Sequence, residues 1–211
     1  MNEHSLFTNT FCNLKIGYWN VTGLKDKIDD VSFLKELQSY DVCFLSETWL
    51  INDVTIKGFR VQCKNAIKLH NRSGRNSGGI VVLIKQKFTK EIKWLDKNCL
   101  YGSWLKIDKN TLESDKNLYI GGVYVPPRNS DYAIRDCFKL LEDDIQLLSE
   151  DGCCIILGDM NARCGSLNDY LEHSKGDKYI DCDSFDCETA IYPCRISQDD
   201  EVNMYGRQLH C

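Results

Sequence analysis

Ile155-Ile156-Leu157-Gly158-Asp159-Met160-Asn161-Ala162-Arg163 is a short apolar run that stops at a glycine and delivers a carboxylate and a carboxamide two residues apart. With Cys153 and Cys154 ahead of it, the run reads as a buried strand, because a continuous apolar stretch of this length bounded by a breaker suits a strand covered on both faces. Gly158 permits a sharp exit, and period-two alternation points Asp159 and Asn161 to the same side. Gly-Asp-x-Asn is also ordinary turn chemistry, so this stretch alone leaves a ligand site and a plain turn both open.

Three other apolar runs end in the same manner. Leu14 to Trp19 leads into Asn20-Val21-Thr22-Gly23, Asp41 to Leu45 into Ser46-Glu47-Thr48-Trp49, and Leu118 to Val123 into Tyr124-Val125-Pro126-Pro127. One polar group at each of four strand ends suggests a single convergent cleft. Taken singly, each has a bland explanation: Asn20 as an Asx-turn residue, Glu47 as a solvated loop acid, Tyr124 as a core aromatic beside the prolines.

The ordered set WNVTGL, LSETWL, GGIVVLIK, VYVPPRN and GDMNARCG resembles the endonuclease/exonuclease/phosphatase superfamily, and within it the apurinic-like endonuclease domain of non-LTR (LINE-type) retrotransposons. The resemblance extends from Leu14 to Cys211, leaving 1–13 as an N-terminal extension. Its later part is the Arg195-Ile196-Ser197-Gln198-Asp199 segment followed by Asn203-Met204-Tyr205-Gly206-Arg207-Gln208-Leu209. The resemblance implies a four-layer α/β sandwich, two packed mixed sheets flanked by helices, with the site at one end.

Composition agrees with one compact domain: 211 residues, 43% hydrophobic, only 3 prolines. No stretch approaches the roughly 18 apolar residues of a membrane span, and Met1-Asn2-Glu3-His4-Ser5 lacks the basic and apolar regions of a secretion signal, so an intracellular protein, nuclear or cytoplasmic, is expected. Several of the 12 cysteines (Cys43, Cys137, Cys153, Cys154) fall inside expected strands or a helix, where a free thiol behaves as a small buried hydrophobe. Cys182, Cys187, Cys194 and Cys211 with His173 and His210 lack any Cys-x-x-Cys pair and read as free thiols rather than a zinc site. The net charge of -5 is unfavourable for a DNA partner, but it is unevenly spread. Arg60 to Lys97 carries ten Lys/Arg against Glu91 and Asp96, a local +8 against -13 elsewhere. Arg72 and Arg75, in a polar loop able to reach a duplex backbone, are the expected phosphate contacts, whereas Lys85 to Lys97 also fit a solvated strand face.

Periodicity predicts strands near 14–19, 41–46, 59–63, 79–85, 102–107, 117–124 and 153–158, and a helix near 29–38. A longer helix carries the stripe Ile134, Cys137, Phe138, Leu141, Ile145 and Leu148, with Ser130 as its N-cap.

The resemblance assigns Glu47 and Asn20 to a magnesium (or manganese) site, Asp159 to the attacking water, Asn161 to the phosphate oxygens and Tyr124 to a phenol beside the phosphate. Hard oxygen donors suit such a cation. One departure is plain. Relatives finish with strands carrying a Ser-x-x-Asp-Tyr-like segment and a closing Ser-Asp-His, whereas the histidines here are His4, His70, His173 and His210, none preceded by Asp. The expectation is a monomeric DNA-nicking domain missing its last strands, inactive or weak as it stands, with a reverse transcriptase region in a longer intact protein. A phosphatase or phospholipase of the same fold, and a catalytically dead binding remnant, are the alternatives.

Overall fold

The computed structural model describes residues 13–66, 76–95, 99, 101–131, 133–165, 167, 199 and 201–210. It divides into two compact units, Met1–Asp159 and Met160–Cys211. The first contains two four-stranded sheets. One is built from β1 (Ile16–Asn20), β2 (Val42–Ser46), β3 (Phe59–Lys64) and β4 (Ile80–Lys85) in the order β1-β2-β4-β3. The other is built from β5 (Ile92–Leu95), β6 (Gly102–Ile107), β7 (Asn117–Tyr124) and β8 (Gly152–Asp159) in sequence order. Both sheets are mixed: β1 runs parallel to β2 and β7 parallel to β8, while the remaining pairs are antiparallel.

Alternation along β2 and β4 explains the layering. Val42, Phe44, Val82 and Ile84 face the second sheet, where they meet Ile92, Leu105, Ile107 and Ile120. Their neighbours Cys43, Leu45, Val81 and Leu83 face the other way and are covered by Phe33 and Leu37 of α1 (Val31–Leu37). These strands are buried on both faces, so they read as continuous apolar runs rather than alternating ones. Each large side chain so buried contributes about 1.5–3 kcal/mol. On the far side of the second sheet, α3 (Cys137–Ser149) packs on β8 and buries Cys137, Leu141 and Leu148. The result is the expected four-layer α/β sandwich, with the short α2 (Lys109–Leu112) in the β6–β7 connection.

Two details differ from expectation. Strand β5 was not anticipated, because Ile92-Lys93-Trp94-Leu95 offers only four residues to a period-two reading. The N-cap of α3 is Asp136, in a left-handed conformation (φ 53°), not Ser130, whose hydroxyl instead closes a turn on the Pro127 carbonyl at 2.6 Å. The prolines start a turn there, and the chain needs six further residues before the helix begins.

In the second unit, Cys164 bridges to Val202 and is followed by α4 (Met204–His210). The Arg163 guanidinium grips Asp199 through Nε and Nη2 at 2.9 and 2.8 Å and also bonds Glu201, while its backbone N–H donates to Asn203 Oδ1 at 3.1 Å. Gly206 lies so close to the Arg163 carbonyl that a β-carbon would sit 2.0 Å from it. Among the described residues Cys43, Cys137, Cys153 and Cys154 form no disulfide; Cys43 and Cys137 are buried as expected, whereas Cys153 is exposed and Cys154 half-buried, because β8 lies at the edge of its sheet. Cys182, Cys187, Cys194, Cys211 and His173 lie outside the described residues, as does the side chain of His210.

Candidate active site

Strand register gathers the four polar strand ends. In the first sheet Asn20 lies beside Ser46, the residue before Glu47. In the second, Tyr124 lies beside Asp159. Two hydrogen bonds then cross between the sheets. Asn20 Nδ2 donates to Asp159 Oδ2 at 3.0 Å, and the Tyr124 hydroxyl donates to Glu47 Oε1. Asn20, Glu47, Tyr124 and Asp159 therefore meet at one end of the sandwich. Asn161 belongs to the second unit, with a left-handed backbone (φ 47°) and a carbonyl that accepts from Asn203 Nδ2 at 2.9 Å. Arg72 and Arg75 lie outside the described residues.

Both ends of the Asn20 carboxamide are assigned by chemistry. A carboxylate only accepts, so the NH2 end must face Asp159. The oxygen accepts from the Thr22 amide and hydroxyl at 3.2 and 3.3 Å, closing an Asx-turn over Val21. The Asx-turn and the site are thus the same residue seen from its two ends.

Several neighbours drew no notice as site residues in the sequence. Trp49 donates its indole N–H to Glu47 Oε2, so each Glu47 oxygen receives a hydrogen bond. Tyr18, on the same face of β1 as Asn20, has a buried hydroxyl beside Ser46. Burial pushes the Tyr18 phenol up to about 12, although the Ser46 hydroxyl and the Asp159 backbone act the other way, so it stays neutral. Tyr18 looked like one more apolar member of its run; only the strand's face distinguishes it.

The donor set fits a hard divalent cation. Glu47 and Asp159 supply carboxylate oxygens and Asn20 a carboxamide oxygen at one end of the sandwich, hard donors of the kind such a cation takes. No cluster of three or more His, Cys, Asp or Glu occurs among the described residues. Beside Glu47 an open cavity of about 370 Å³ is lined by Gly23, Lys25, Lys27, Thr48, Trp49 and Asn76.

Four of the ten basic residues between Arg60 and Lys97 have partners other than the polar strand ends. Lys64 Nζ bonds the Cys99 and Gly102 carbonyls at 2.7 and 2.5 Å, and Arg60 stacks on Trp94 at 4.0 Å. Lys85 and Lys87 pair with Asp41 at 3.4 and 3.0 Å, at the end of β4 away from Ile80 and hence away from the site. Burial pushes the Asp41 carboxyl up, but the Lys15 amide and the two ammoniums outweigh it and hold it below the usual aspartate range.

A family model described as the Endonuclease/Exonuclease/phosphatase family matches residues 17–196. No curated protein sequence matches the chain. Among solved structures, an AP endonuclease from Leishmania major is similar with 16% identity and a TM-score of 0.53, over 74% of this chain and 57% of its own. The APE2 catalytic domain of Xenopus laevis is similar with 19% identity and a TM-score of 0.52, over 76% of this chain and 62% of its own. The chain thus spans less than two thirds of either, and at these identities the likeness is one of fold. No helix among the described residues is long and apolar enough to cross a membrane.

Proposed function

Because this chain belongs to the endonuclease/exonuclease/phosphatase family, we propose that its four convergent strand ends form a magnesium-dependent phosphodiesterase site that nicks DNA, of the kind found in non-LTR retrotransposons. The observation that carries the reading is the pair of inter-sheet bonds, Asn20 to Asp159 and Tyr124 to Glu47. Without the sheets packed face to face, the Asn20 and Glu47 ends would not meet the Tyr124 and Asp159 ends.

Asp159, its carboxylate aligned by the Asn20 NH2, orients the attacking water and takes its proton. Glu47 would hold the cation, with the Asn20 oxygen as its companion ligand, and the cation would neutralise charge on the phosphoryl oxygens and polarise them. Tyr124 would place its phenol beside the phosphate, and Asn161 would offer its amide to a phosphoryl oxygen. Arg72 and Arg75 contact the duplex backbone.

The retrotransposon type is supported by Asn161-Ala162-Arg163 and by the segments ending at Asp199 and beginning at Asn203, which carry that resemblance: Arg163 bonds both Asp199 and Asn203. The closing Ser-Asp-His of relatives has no counterpart among these 211 residues, and loss of one preorganised donor of that kind lowers turnover about a hundredfold to a thousandfold. Activity of this chain by itself is therefore weak.

The test is prolonged incubation of the chain with supercoiled plasmid and magnesium, against a panel of small phosphoesters. Slow nicking that disappears in Glu47→Ala and Asp159→Ala supports the reading. Turnover of the small phosphoesters without any DNA cleavage would move the assignment to a phosphatase, and DNA cleavage indifferent to both substitutions would remove this site from consideration.

A further inference from the structure

Chain geometry after β2 is unusual. Glu47 (φ 53°) and Trp49 (φ 57°) are both left-handed, a conformation that non-glycine residues hold only when their surroundings impose it. Here the surroundings do. Gly23 N–H donates to the Glu47 carbonyl at 2.7 Å and Leu24 N–H to the Thr48 carbonyl at 3.0 Å, on one side. Gly78 and Gly79 carbonyls accept from Trp49 and Thr48 at 3.0 and 3.3 Å on the other, and Asn76 Nδ2 holds the Trp49 carbonyl at 2.9 Å. Gly23 leaves room for the indole: a β-carbon there would stand 2.8 Å from Trp49 Cε3.

The product of this fixed turn is an indole N–H delivered to Glu47 Oε2, opposite the Tyr124 hydroxyl on Oε1. We infer that Trp49 is a positioning residue whose indole N–H aligns the Glu47 carboxylate for a divalent cation. The inference rests on the reading of Glu47 as a cation ligand. Indole is suited to the task because it donates without carrying charge, so the carboxylate is oriented while its full negative charge remains available. An ammonium or guanidinium in that place would repel the cation. Groups that orient a metal-binding carboxylate typically change affinity about 10–100-fold when removed.

The experiment measures Mn2+ binding to the 211-residue chain at pH 7.5 by the electron paramagnetic resonance signal of free Mn2+, with thermal melting in parallel. Trp49→Phe keeps a ring over Gly23 but loses the donor, and is expected to weaken binding about 10-fold at an unchanged melting temperature. Trp49→His returns an N–H to nearly the same place and should recover binding to within about threefold of the parent. Glu47→Ala should lose this site. Unchanged binding in Trp49→Phe with loss in Glu47→Ala overturns the role of Trp49 alone. Equal weakening in the Phe and His variants with a lowered melting temperature overturns it too, by making Trp49 a packing residue. Unchanged binding in Glu47→Ala overturns the cation site itself.

Discussion

Asn20 joins β1 to the chemistry because its two ends do different work: the oxygen closes the Thr22 turn and the NH2 aligns Asp159. Asn20→Asp would set two carboxylates against each other, and Asn20→Ala would leave Asp159 unaligned. A misplaced base costs about a hundredfold, so both variants should lower nicking by that order while leaving far-UV circular dichroism unchanged. Activity retained in Asn20→Ala would confine Asn20 to the turn. Asp41 offers a residue-scale test of stability. It is 6% exposed and meets Lys85, Lys87 and the Lys15 amide, which hold its pKa low despite burial. A lowered folded-state pKa adds stability that is complete above the unfolded aspartate value, about 4, and is lost as pH falls through the lower folded value. Asp41→Asn should therefore cost about 1–2 kcal/mol at pH 7, discounted because Lys87 is mostly in water, and the difference from the parent should vanish in acid. Urea titrations between pH 2.5 and 7 would show it; a pH-independent difference would mean that packing, not charge, is responsible. The convergence of Asn20, Glu47, Tyr124 and Asp159 was legible because each ends an apolar run. Trp49 and Tyr18 were not, since aromatic residues beside such runs look like core until backbone dihedrals and facing neighbours are known.

At the scale of elements, β2 and β4 were legible because doubly covered strands have no polar face to confuse the pattern; the run into β8 was read as covered on both faces but is half-exposed at a sheet edge, and β5, only four residues long, was missed. The cap of α3 escaped for another reason: Asp136 is left-handed and makes no side-chain capping bond, so nothing in its chemistry announces a start. Strand β7 shows what a glycine pair can do inside a sandwich. Gly121 lies opposite Trp104 in the register, and a β-carbon on it would stand 2.8 Å from that ring. Gly122 faces Phe44 of the other sheet, and a β-carbon would stand 1.9 Å from Cδ1. Each glycine thus makes room for an aromatic on one face of the same strand. Phe44 is fully buried between the sheets and cannot swing into water, so Gly122→Ala should destabilise by about 2–3 kcal/mol through overpacking. Chemical denaturation measures this, and pairing with Phe44→Leu should recover part of the loss. If the double variant is merely the sum of the two, the clash lies elsewhere.

On the scale of the first unit, each four-stranded sheet presents two edge strands. β1 and β8 are edge strands among the described residues, and they contact one another across the gap between the sheets. Leu157 reaches the inter-sheet core, yet Ile155, two residues earlier and on the same face, is 44% exposed. An edge strand with an uncovered apolar face invites pairing with another chain. Proteins of this fold similar to the chain are longer, since it spans 57% and 62% of the two compared above. Strands laid against β1 and β8 would cover Ile155 and bring a Ser-Asp-His end to the edge where Asp159 emerges. Two outcomes are expected of a chain extended with a relative's terminal strands. Its melting temperature should rise and its tendency to self-associate should fall, as read by light scattering across concentration. Magnesium-dependent nicking should increase about a hundredfold or more, and should be abolished again by Glu47→Ala. The two readouts fail separately. A stabilised chain without added activity would mean that the four strand ends are not a catalytic site. Added activity without stabilisation would mean that the β1 and β8 edges are covered by something other than those strands.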